Sequence, residues 1–364
     1  MFSAASQILE YAVRQQAFPA AVIEVGDATR PLWRRAFGRL RYDAGAPAAA
    51  EDTIFDLASL TKVLATAAFV MQQVERGSLG LDDCVGEYIS SWEGADRAHV
   101  TVRDLLSHSG GLTAYVPFYR DHSGRAEFER AICSVPLEYE PRTKSVYSDL
   151  GFILLGFIVE DQPSLAPRAS ARQAEISLPA RFDALRRQIG LVEDMQFHLP
   201  ALWKARTAPT EIDPWRDRLL VGEVHDENAA ALGGAAGHAG LFGTAMAVGQ
   251  YARHLLQILD GKVGAFRRDT LEMFIARRSD IPGSSRALGW DTMLPASSCG
   301  GGMSPRAFGH TGFTGTSLWV DPDRGVYVVL LTNRVHPRRA NDAIRQIRPA
   351  VHDAVMHELD APRS

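Results

Sequence analysis

A serine and a lysine three residues apart are the first side chains in this sequence whose types and spacing suggest chemistry. Ser59 and Lys62 stand in the stretch FDLASLTK at 55–62. The residues after Lys62 predict a helix, and on a helix two side chains at this spacing lie on the same side about one turn apart. The apolar positions recur at the spacing of one helical face, namely Val63, Ala67, Val70 and Val74.

The chemistry that such a pair could perform is nucleophilic attack by the serine hydroxyl. A serine needs a neighbour that takes its proton and a donor that holds the resulting oxyanion. Lys62 can take part in the first task, and backbone N–H groups at the helix start can perform the second. Because Ser-x-x-Lys also occurs by chance as a solvated helix start, the dyad is a hypothesis that needs support from the rest of the chain.

A tyrosine in the stretch VYSDLG at 146–151 is the second candidate. Tyr147 precedes a strongly apolar segment that predicts a buried helix. A phenol near the ammonium of Lys62 would have a lowered pKa, and the phenolate could accept the serine proton. The alternative is a tyrosine that packs at a helix start, with Asp149 as the cap.

A glycine-rich stretch near the C-terminus, GHTGFTGT at 309–316, is the third candidate. Glycines allow close approach of the backbone along a strand. His310 and Thr311 can then face a cleft, and an N–H of this strand can be a second oxyanion donor. The alternative is an edge strand with an exposed histidine.

The elements that must position these residues are strands from both chain ends with helices between them. A hairpin is predicted within 20–40, and further strands at 287–290, 317–320 and 325–333, whereas helical patterns dominate from 61 to 257. Since the two groups of strands must find partners, we predict an α+β (α/β) fold. It has one antiparallel sheet that is flanked by helices and built from both chain ends, with an all-helical region inserted.

This pattern predicts a discontinuous domain organisation. The sheet domain comprises 1–58 and 276–364, the helical domain comprises 59–275, and the active site lies in the cleft between them. Helices are predicted at the N-terminus and over 339–359. The segment 161–174 carries Pro, Ser and Arg but few large apolar groups, and it is predicted to be a loop or insertion.

Composition excludes several classes of function. The 364 residues carry a net charge of -4, so no nucleic-acid surface is expected, and no apolar run reaches the length of a membrane span. The N-terminus shows no signal-peptide pattern and the three cysteines are far apart, which favours a cytoplasmic protein without a disulfide framework or a zinc site. No Gly-x-Ser-x-Gly elbow, His-Glu-x-x-His or Walker loop is present, and we expect no metal and no cofactor.

Together and in this order, Ser-x-x-Lys, Tyr-Ser-Asp and His-Thr-Gly resemble the motifs of the serine β-lactamase and penicillin-binding-protein superfamily. The similarity is to its class C-type, esterase and D-aminopeptidase-like branch. The stretches that carry it are collinear and cover about residues 20 to 335: FDLASLTK at 55–62, LLSHSGGL at 105–112, YSDLG at 147–151, GHAGLF at 237–242 and LGW at 288–290.

The resemblance implies roles for single residues. Ser59 matches the acylated nucleophile, Lys62 the helix lysine that eases its deprotonation, and Tyr147 the tyrosine base. The third motif places His310, Thr311, Gly312 and Phe313 against the substrate. The backbone N–H groups of Ser59 and Phe313 are the implied oxyanion donors.

Two positions depart from the family pattern. Asp149 stands where an asparagine is usual, and an ionised carboxylate accepts hydrogen bonds from Lys62 but donates none to a substrate. His310 replaces the usual lysine, and an uncharged imidazole holds a substrate carboxylate less firmly.

We therefore predict a serine hydrolase that acts through a Ser59 acyl-enzyme on ester or amide bonds of a small-molecule or peptide-like substrate. A carboxylesterase or D-aminopeptidase-like activity is the leading interpretation. A β-lactamase or D-Ala-D-Ala carboxypeptidase is the alternative. A catalytically silent, ligand-binding scaffold of the same fold is an alternative of another class.

Overall fold

The computed structural model describes residues 2–162 and 177–361. The strands in chain order are β1 (Ala20–Asp27), β2 (Pro31–Gly38), β3 (Phe55–Asp56), β4 (Met195–Phe197), β5 (Ile212–Asp213), β6 (Arg218–Leu219), β7 (Leu241–Gly243), β8 (Asp291–Thr292), β9 (Phe308–Thr311), β10 (Ser317–Asp321) and β11 (Val326–Thr332). The helices are α1 (Ser3–Arg14), α2 (Ala67–Glu75), α3 (Val102–Leu106), α4 (Gly124–Ser134), α5 (Asp149–Asp161), α6 (Leu178–Gln188), α7 (Glu227–Ala231), α8 (Ala245–Leu259), α9 (Arg268–Ile275) and α10 (Ile344–Asp360).

The main sheet joins the two ends of the chain. Its six strands pair in the order β2-β1-β11-β10-β9-β8, and every pairing is antiparallel. The predicted hairpin near residue 30 is β1 with β2, and the predicted turn at 321–325 joins β10 to β11. The fold class predicted from the sequence is confirmed, because the sheet has helices against it.

Alternating apolar side chains bury both faces of this sheet. On β1, Val22 belongs to the core shared with α8, whereas its neighbour Ile23 belongs to the core shared with α1 and α10. On β11, Val329 belongs to the core shared with α8, and Val328 belongs to the core shared with α1 and α10. Successive side chains of a strand point to opposite faces, so a strand that is apolar throughout is covered on both sides.

The region between the terminal strands is not all helical, and this part of the prediction is corrected. A three-stranded sheet, β3-β7-β4, and a two-stranded sheet, β5-β6, lie within or next to it. Their strands have only two or three residues, so alternation was too short to detect in the sequence.

The strand predicted at 287–290 was also wrong in position. The pairing segment is β8, which begins one residue later. Gly289 has φ +87°, in the left-handed region that glycine tolerates and strands do not use. The apolar residues there are buried in a turn.

The loop predicted at 161–174 falls mostly outside the described residues. The division into a sheet domain and a helical domain stays a prediction. Strands from both chain ends do form one sheet.

Candidate active site

Ser59 follows β3 in a tight turn that leads into a helix. The preceding residue, Ala58, has φ +47°, a conformation that non-glycine residues adopt rarely and that concentrates at functional sites. Asp56 holds the turn, because its Oδ1 accepts the N–H of Ala58 at 2.8 Å. The helix then begins with a π-helical segment, Lys62–Thr66, before it continues as α2. Such segments are frequent at functional sites.

Lys62 lies inside the protein with all three of its donors used. Its Nζ donates to Ser59 Oγ at 3.0 Å, to Asp149 Oδ1 at 2.7 Å and to the carbonyl of His238 at 3.1 Å. The side chain is fully buried. An ammonium has three N–H groups, so this set of acceptors fixes its orientation towards the serine.

The charge state of Lys62 follows from these contacts. Burial alone lowers its pKa, but the Asp149 carboxylate and Tyr147 more than offset burial, so the net pKa is raised. Lys62 is therefore an ammonium at neutral pH. In the resting site it is a hydrogen-bond donor to Ser59 rather than a free base.

Tyr147 lies against the same lysine with its hydroxyl buried. The phenol makes no hydrogen bond within the described part of the chain. Its ring centroid is 4.9 Å from Lys62 Nζ, 4.6 Å from the His108 ring and 5.8 Å from the His310 ring. Burial raises its pKa, and the nearby Lys62 and Ser59 lower it by less. The lowered pKa expected from the sequence was wrong, because burial outweighs the ammonium.

His310 is buried on β9 rather than exposed. Its Nδ1 donates to the carbonyl of Thr311 at 2.8 Å, which leaves Nε2 as an acceptor without a partner in the described structure. Burial first, and then the charges of Arg286 and Lys62, hold its pKa well below the usual value. The imidazole is therefore neutral at neutral pH.

The turn after β9 is tied to the turn that carries Ser59. Thr314 Oγ1 donates to the carbonyl of Asp56 at 2.7 Å, and Thr316 Oγ1 donates to the carbonyl of Leu57 at 3.0 Å. In the described hydrogen bonds, the amides of Ser59 and Phe313 donate to no protein group. Two free N–H groups on adjoining turns are what an oxyanion needs.

These groups open on one cavity of about 510 Å³. Except for the buried Lys62, every site residue named from the sequence lines it, namely Ser59, Tyr147, Asp149, His310, Thr311, Gly312 and Phe313. Segments of the chain that are up to about 250 residues apart thus meet at a single site, and the residues are the ones that acyl transfer requires.

Comparison with known proteins agrees with this geometry. The sequence profile of the Beta-lactamase family matches residues 5–352. The chain belongs to the Beta-lactamase family. Together with its relatives, this membership makes the chain a serine hydrolase, and it confirms the resemblance seen in the motifs.

Two curated members of this family illustrate its range. A protein of Escherichia coli (strain K12), provisionally named D-alanyl-D-alanine carboxypeptidase, is 30% identical over 362 residues, which cover 88% of this chain and 79% of the relative. An N-acetylmuramyl-L-alanine amidase of Bacillus subtilis (strain 168) is 31% identical over 356 residues, covering 88% of this chain and 78% of the relative.

Two solved structures are similar to this chain in fold. EstCE1, a hydrolase with promiscuous acyltransferase activity, superposes with a TM-score of 0.72 at 21% identity and covers 96% of this chain and 97% of its own. A class C β-lactamase from Rhodobacter sphaeroides has a TM-score of 0.73 at 18% identity, with 98% and 99% covered.

The structure of this family member also shows site residues that the sequence did not predict. Arg286, Arg334 and Arg348 line the cavity, as does Asp226, whose Oδ1 lies 2.8 Å from His238 Nε2. These three arginines and Asp226 lie outside every motif that the sequence suggested. His238, the partner of Asp226, does lie in one of the quoted stretches, GHAGLF.

The described residues show two further absences. No group of three or more His, Cys, Asp or Glu side chains among residues 2–162 and 177–361 is arranged to hold a metal ion. No helix in those ranges combines the length and apolar character that a membrane crossing needs.

Proposed function

We propose that this serine hydrolase works through an acyl-enzyme on Ser59 and acts on peptide-like amides that carry an acidic group. The observation that supports the nucleophile most directly is the 3.0 Å hydrogen bond from buried Lys62 to the Ser59 hydroxyl. A hydroxyl that accepts from a fixed ammonium has its lone pairs and its proton oriented, so its own hydrogen is free to leave towards a base.

Tyr147 is the proposed base. Lys62 and Tyr147 both have raised pKa values, so at rest both are protonated. Activity then requires the fraction of molecules in which the pair has lost one proton. In that state the phenolate next to the Lys62 ammonium can take the Ser59 proton as the hydroxyl attacks the carbonyl.

The rest of the cycle follows from the same geometry. The tetrahedral oxyanion rests between the N–H groups of Ser59 and Phe313, each worth about 3 kcal/mol by analogy with oxyanion donors removed elsewhere. The phenol of Tyr147 returns the proton to the leaving amine or alcohol. Water then attacks the acyl-enzyme by the same proton path and releases Ser59.

Two buried arginines of the cavity support a substrate that carries an acid. Arg334 and Arg348 line the cavity with only 9% and 6% of their surface exposed. Neither forms an ion pair with a described carboxylate, and each donates to main-chain carbonyls, with Arg348 Nε left without a partner. Buried charges without a counter-ion are costly, and a bound anion offsets that cost.

An amide substrate also agrees with the named relatives. The carboxypeptidase and amidase names both describe the cleavage of amide bonds. Simple esters are the second candidate, because an alkoxide leaves more readily from the same tetrahedral intermediate. We assign the chain to the class C-type branch, and we propose a cytoplasmic location, which the three unpaired cysteines support.

Intact mass spectrometry tests the acyl-enzyme. The protein is mixed with a penicillin or a fluorophosphonate probe, and one adduct is expected on Ser59 and none on Ser59→Ala. A rate panel then compares nitrocefin, p-nitrophenyl butyrate, and a D-alanyl-D-alanine peptide with its carboxyl free or amidated. Equal rates on the free and amidated peptides would contradict the acidic-substrate proposal, and absence of any adduct would favour the silent scaffold.

A further inference from the structure

We infer that Arg286 is a positioning residue that acts on catalysis through Tyr147, by placing a second positive charge beside the phenol ring. The inference deepens the proposed function, because it rests on Tyr147 as the base. Arg286 lies just before the LGW stretch and lines the same cavity as Tyr147. Its guanidinium carbon is 5.0 Å from the centroid of the Tyr147 ring.

Charged and titratable groups face Tyr147 from every element that packs around it. Lys62 reaches it from the helix after Ser59, Asp149 from α5, His108 from the segment after α3, His310 from β9, and Arg286 from the loop before β8, with Asp291 of β8 behind Arg286.

The two histidines in this shell are neutral. His108 Nδ1 accepts the N–H of Ser148 at 3.1 Å, so its proton resides on Nε2, just as that of His310 resides on Nδ1. Burial holds the pKa of both rings well below the usual value, and Arg286 is the next contributor for both. His310, which stands where the family pattern has a lysine, therefore supplies no positive charge to Tyr147.

The positive charge of Arg286 is also offset less by a carboxylate than the charge of Lys62 is. Lys62 touches Asp149 at 2.7 Å, so the carboxylate offsets part of the lysine charge at the phenol. Among the described residues, Arg286 forms an ion pair only with Asp291, which is 3.9 Å away and partly exposed. Arg286 thus provides net positive potential at the ring, and a positive charge favours the phenolate over the phenol.

The main chain, rather than the guanidinium, holds this segment in place. The N–H of Arg286 donates to Ser284 Oγ at 3.0 Å, and its carbonyl accepts from Arg278 at 2.8 Å. Within the described structure, the guanidinium makes the ion pair with Asp291 and the contact with the Tyr147 ring. A neutral side chain of similar length at 286 should leave the backbone of the loop unchanged.

The test is the pH profile of kcat/KM on p-nitrophenyl butyrate, a substrate without charge. Arg286→Gln should move the rising limb to higher pH by about one unit, as expected for a cation at this distance. Arg286→Lys should restore most of the shift. Asp291→Asn removes the counter-ion and should move the limb the other way, to lower pH.

Opposite shifts in the two variants are the decisive readout, because a merely structural loss lowers activity equally at every pH. Arg35→Gln, an exposed arginine paired with Glu10, is the matched control and should keep the parent profile. A uniform fall without a shift in Arg286→Gln, or a shift in the same direction in Asp291→Asn, would overturn the inference.

Failure of the proposed function gives a different result. If Tyr147→Phe keeps the parent rising limb and rate, Tyr147 is not the base, whatever Arg286 does. If Tyr147→Phe loses activity while Arg286→Gln leaves the limb in place, only the role of Arg286 is wrong. Thermal unfolding of each variant establishes that it is folded before its profile is compared.

Discussion

The Lys62 ammonium donates to the Ser59 hydroxyl across 3.0 Å while the Asp149 carboxylate holds it from the other side at 2.7 Å. This relationship keeps the lysine an ammonium at neutral pH, beside the proposed nucleophile. We therefore propose that another group is the base, and Tyr147 lies against the same lysine. The predictions below test that division of roles.

Replacement of the nucleophile should abolish turnover without unfolding the protein. Ser59→Ala removes the attacking oxygen but leaves Lys62 with the acceptors Asp149 and His238. We expect no measurable hydrolysis of p-nitrophenyl butyrate and a melting temperature close to that of the parent. Turnover that survives in this variant would remove Ser59 from the mechanism.

Loss of the phenolic hydroxyl should reduce kcat and leave binding almost intact. Tyr147→Phe keeps the ring that packs on His108 but removes the hydroxyl that we propose accepts the serine proton. We expect kcat to fall by about 100- to 10,000-fold, the usual contribution of a positioned base. A rise in KM at constant kcat would instead make Tyr147 a binding residue.

The partner of Lys62 should matter for stability as well as for rate. Asp149→Asn leaves a buried ammonium without its counter-ion, and we expect a loss of about 3 kcal/mol in the free energy of unfolding. Urea unfolding at neutral pH measures it. Asp82→Asn, which breaks an exposed pair with Arg103, is the control and should cost much less.

The sign of the pH dependence follows from the raised pKa of Lys62. A base whose folded pKa lies above its unfolded value stabilises the fold fully below the unfolded pKa, and that contribution is lost as pH rises through the folded pKa. The parent should therefore lose stability above the ordinary lysine pKa of about 10.4. In Asp149→Asn the free energy of unfolding should fall less over this pH range. An identical pH dependence of stability in both proteins would contradict the view that Asp149 raises the pKa of Lys62.

Close packing behind the lysine gives a prediction that requires no substrate. A Cβ on Gly237 would lie 2.0 Å from the carbonyl oxygen of Phe152, so Gly237→Ala must displace the loop that brings the His238 carbonyl to Lys62. We expect a destabilisation of about 1 to 3 kcal/mol. Gly301→Ala, where a Cβ would meet nothing within 4 Å, is the matched control.

The arginines of the cavity predict selectivity. Arg348→Gln should lower kcat/KM for a peptide with a free carboxylate by at least about tenfold relative to the amidated peptide, since a charge-assisted hydrogen bond is worth roughly 1.5 to 3 kcal/mol. Rates on both peptides, measured at two salt concentrations, check this. An unchanged ratio would exclude Arg348 from substrate recognition.

Local pattern and motif order were sufficient to predict the sheet and the residues that the structure brings together around Ser59. The hairpin of β1 and β2 could be predicted because its strands carry β-branched residues and a turn lies between them. The residues of the three motifs could be recognised from their types and their order along the chain. These signals lie in the sequence itself, so they can be detected without knowledge of tertiary contacts.

The remaining features depend on distances that the sequence does not contain. The pKa of Tyr147 is a balance between burial and the Lys62 charge, and its sign follows only when both are known. Arg286 lies outside every motif, and only the loop before β8 brings it to the phenol. The LGW stretch has the composition of a strand, but packing turns it into a bend at Gly289.

The hydrogen bonds from Thr314 and Thr316 to the carbonyls of Asp56 and Leu57 join residues that are 258 and 259 positions apart in the sequence. Hydrolytic competence therefore depends on the last strands reaching the first third of the polypeptide. A nascent chain that has emerged only as far as α9 contains Ser59, Lys62 and Tyr147 but lacks Phe313, which carries one of the two proposed oxyanion donors. It should stay inert until synthesis is nearly complete, so the appearance of activity reports the closing step of folding.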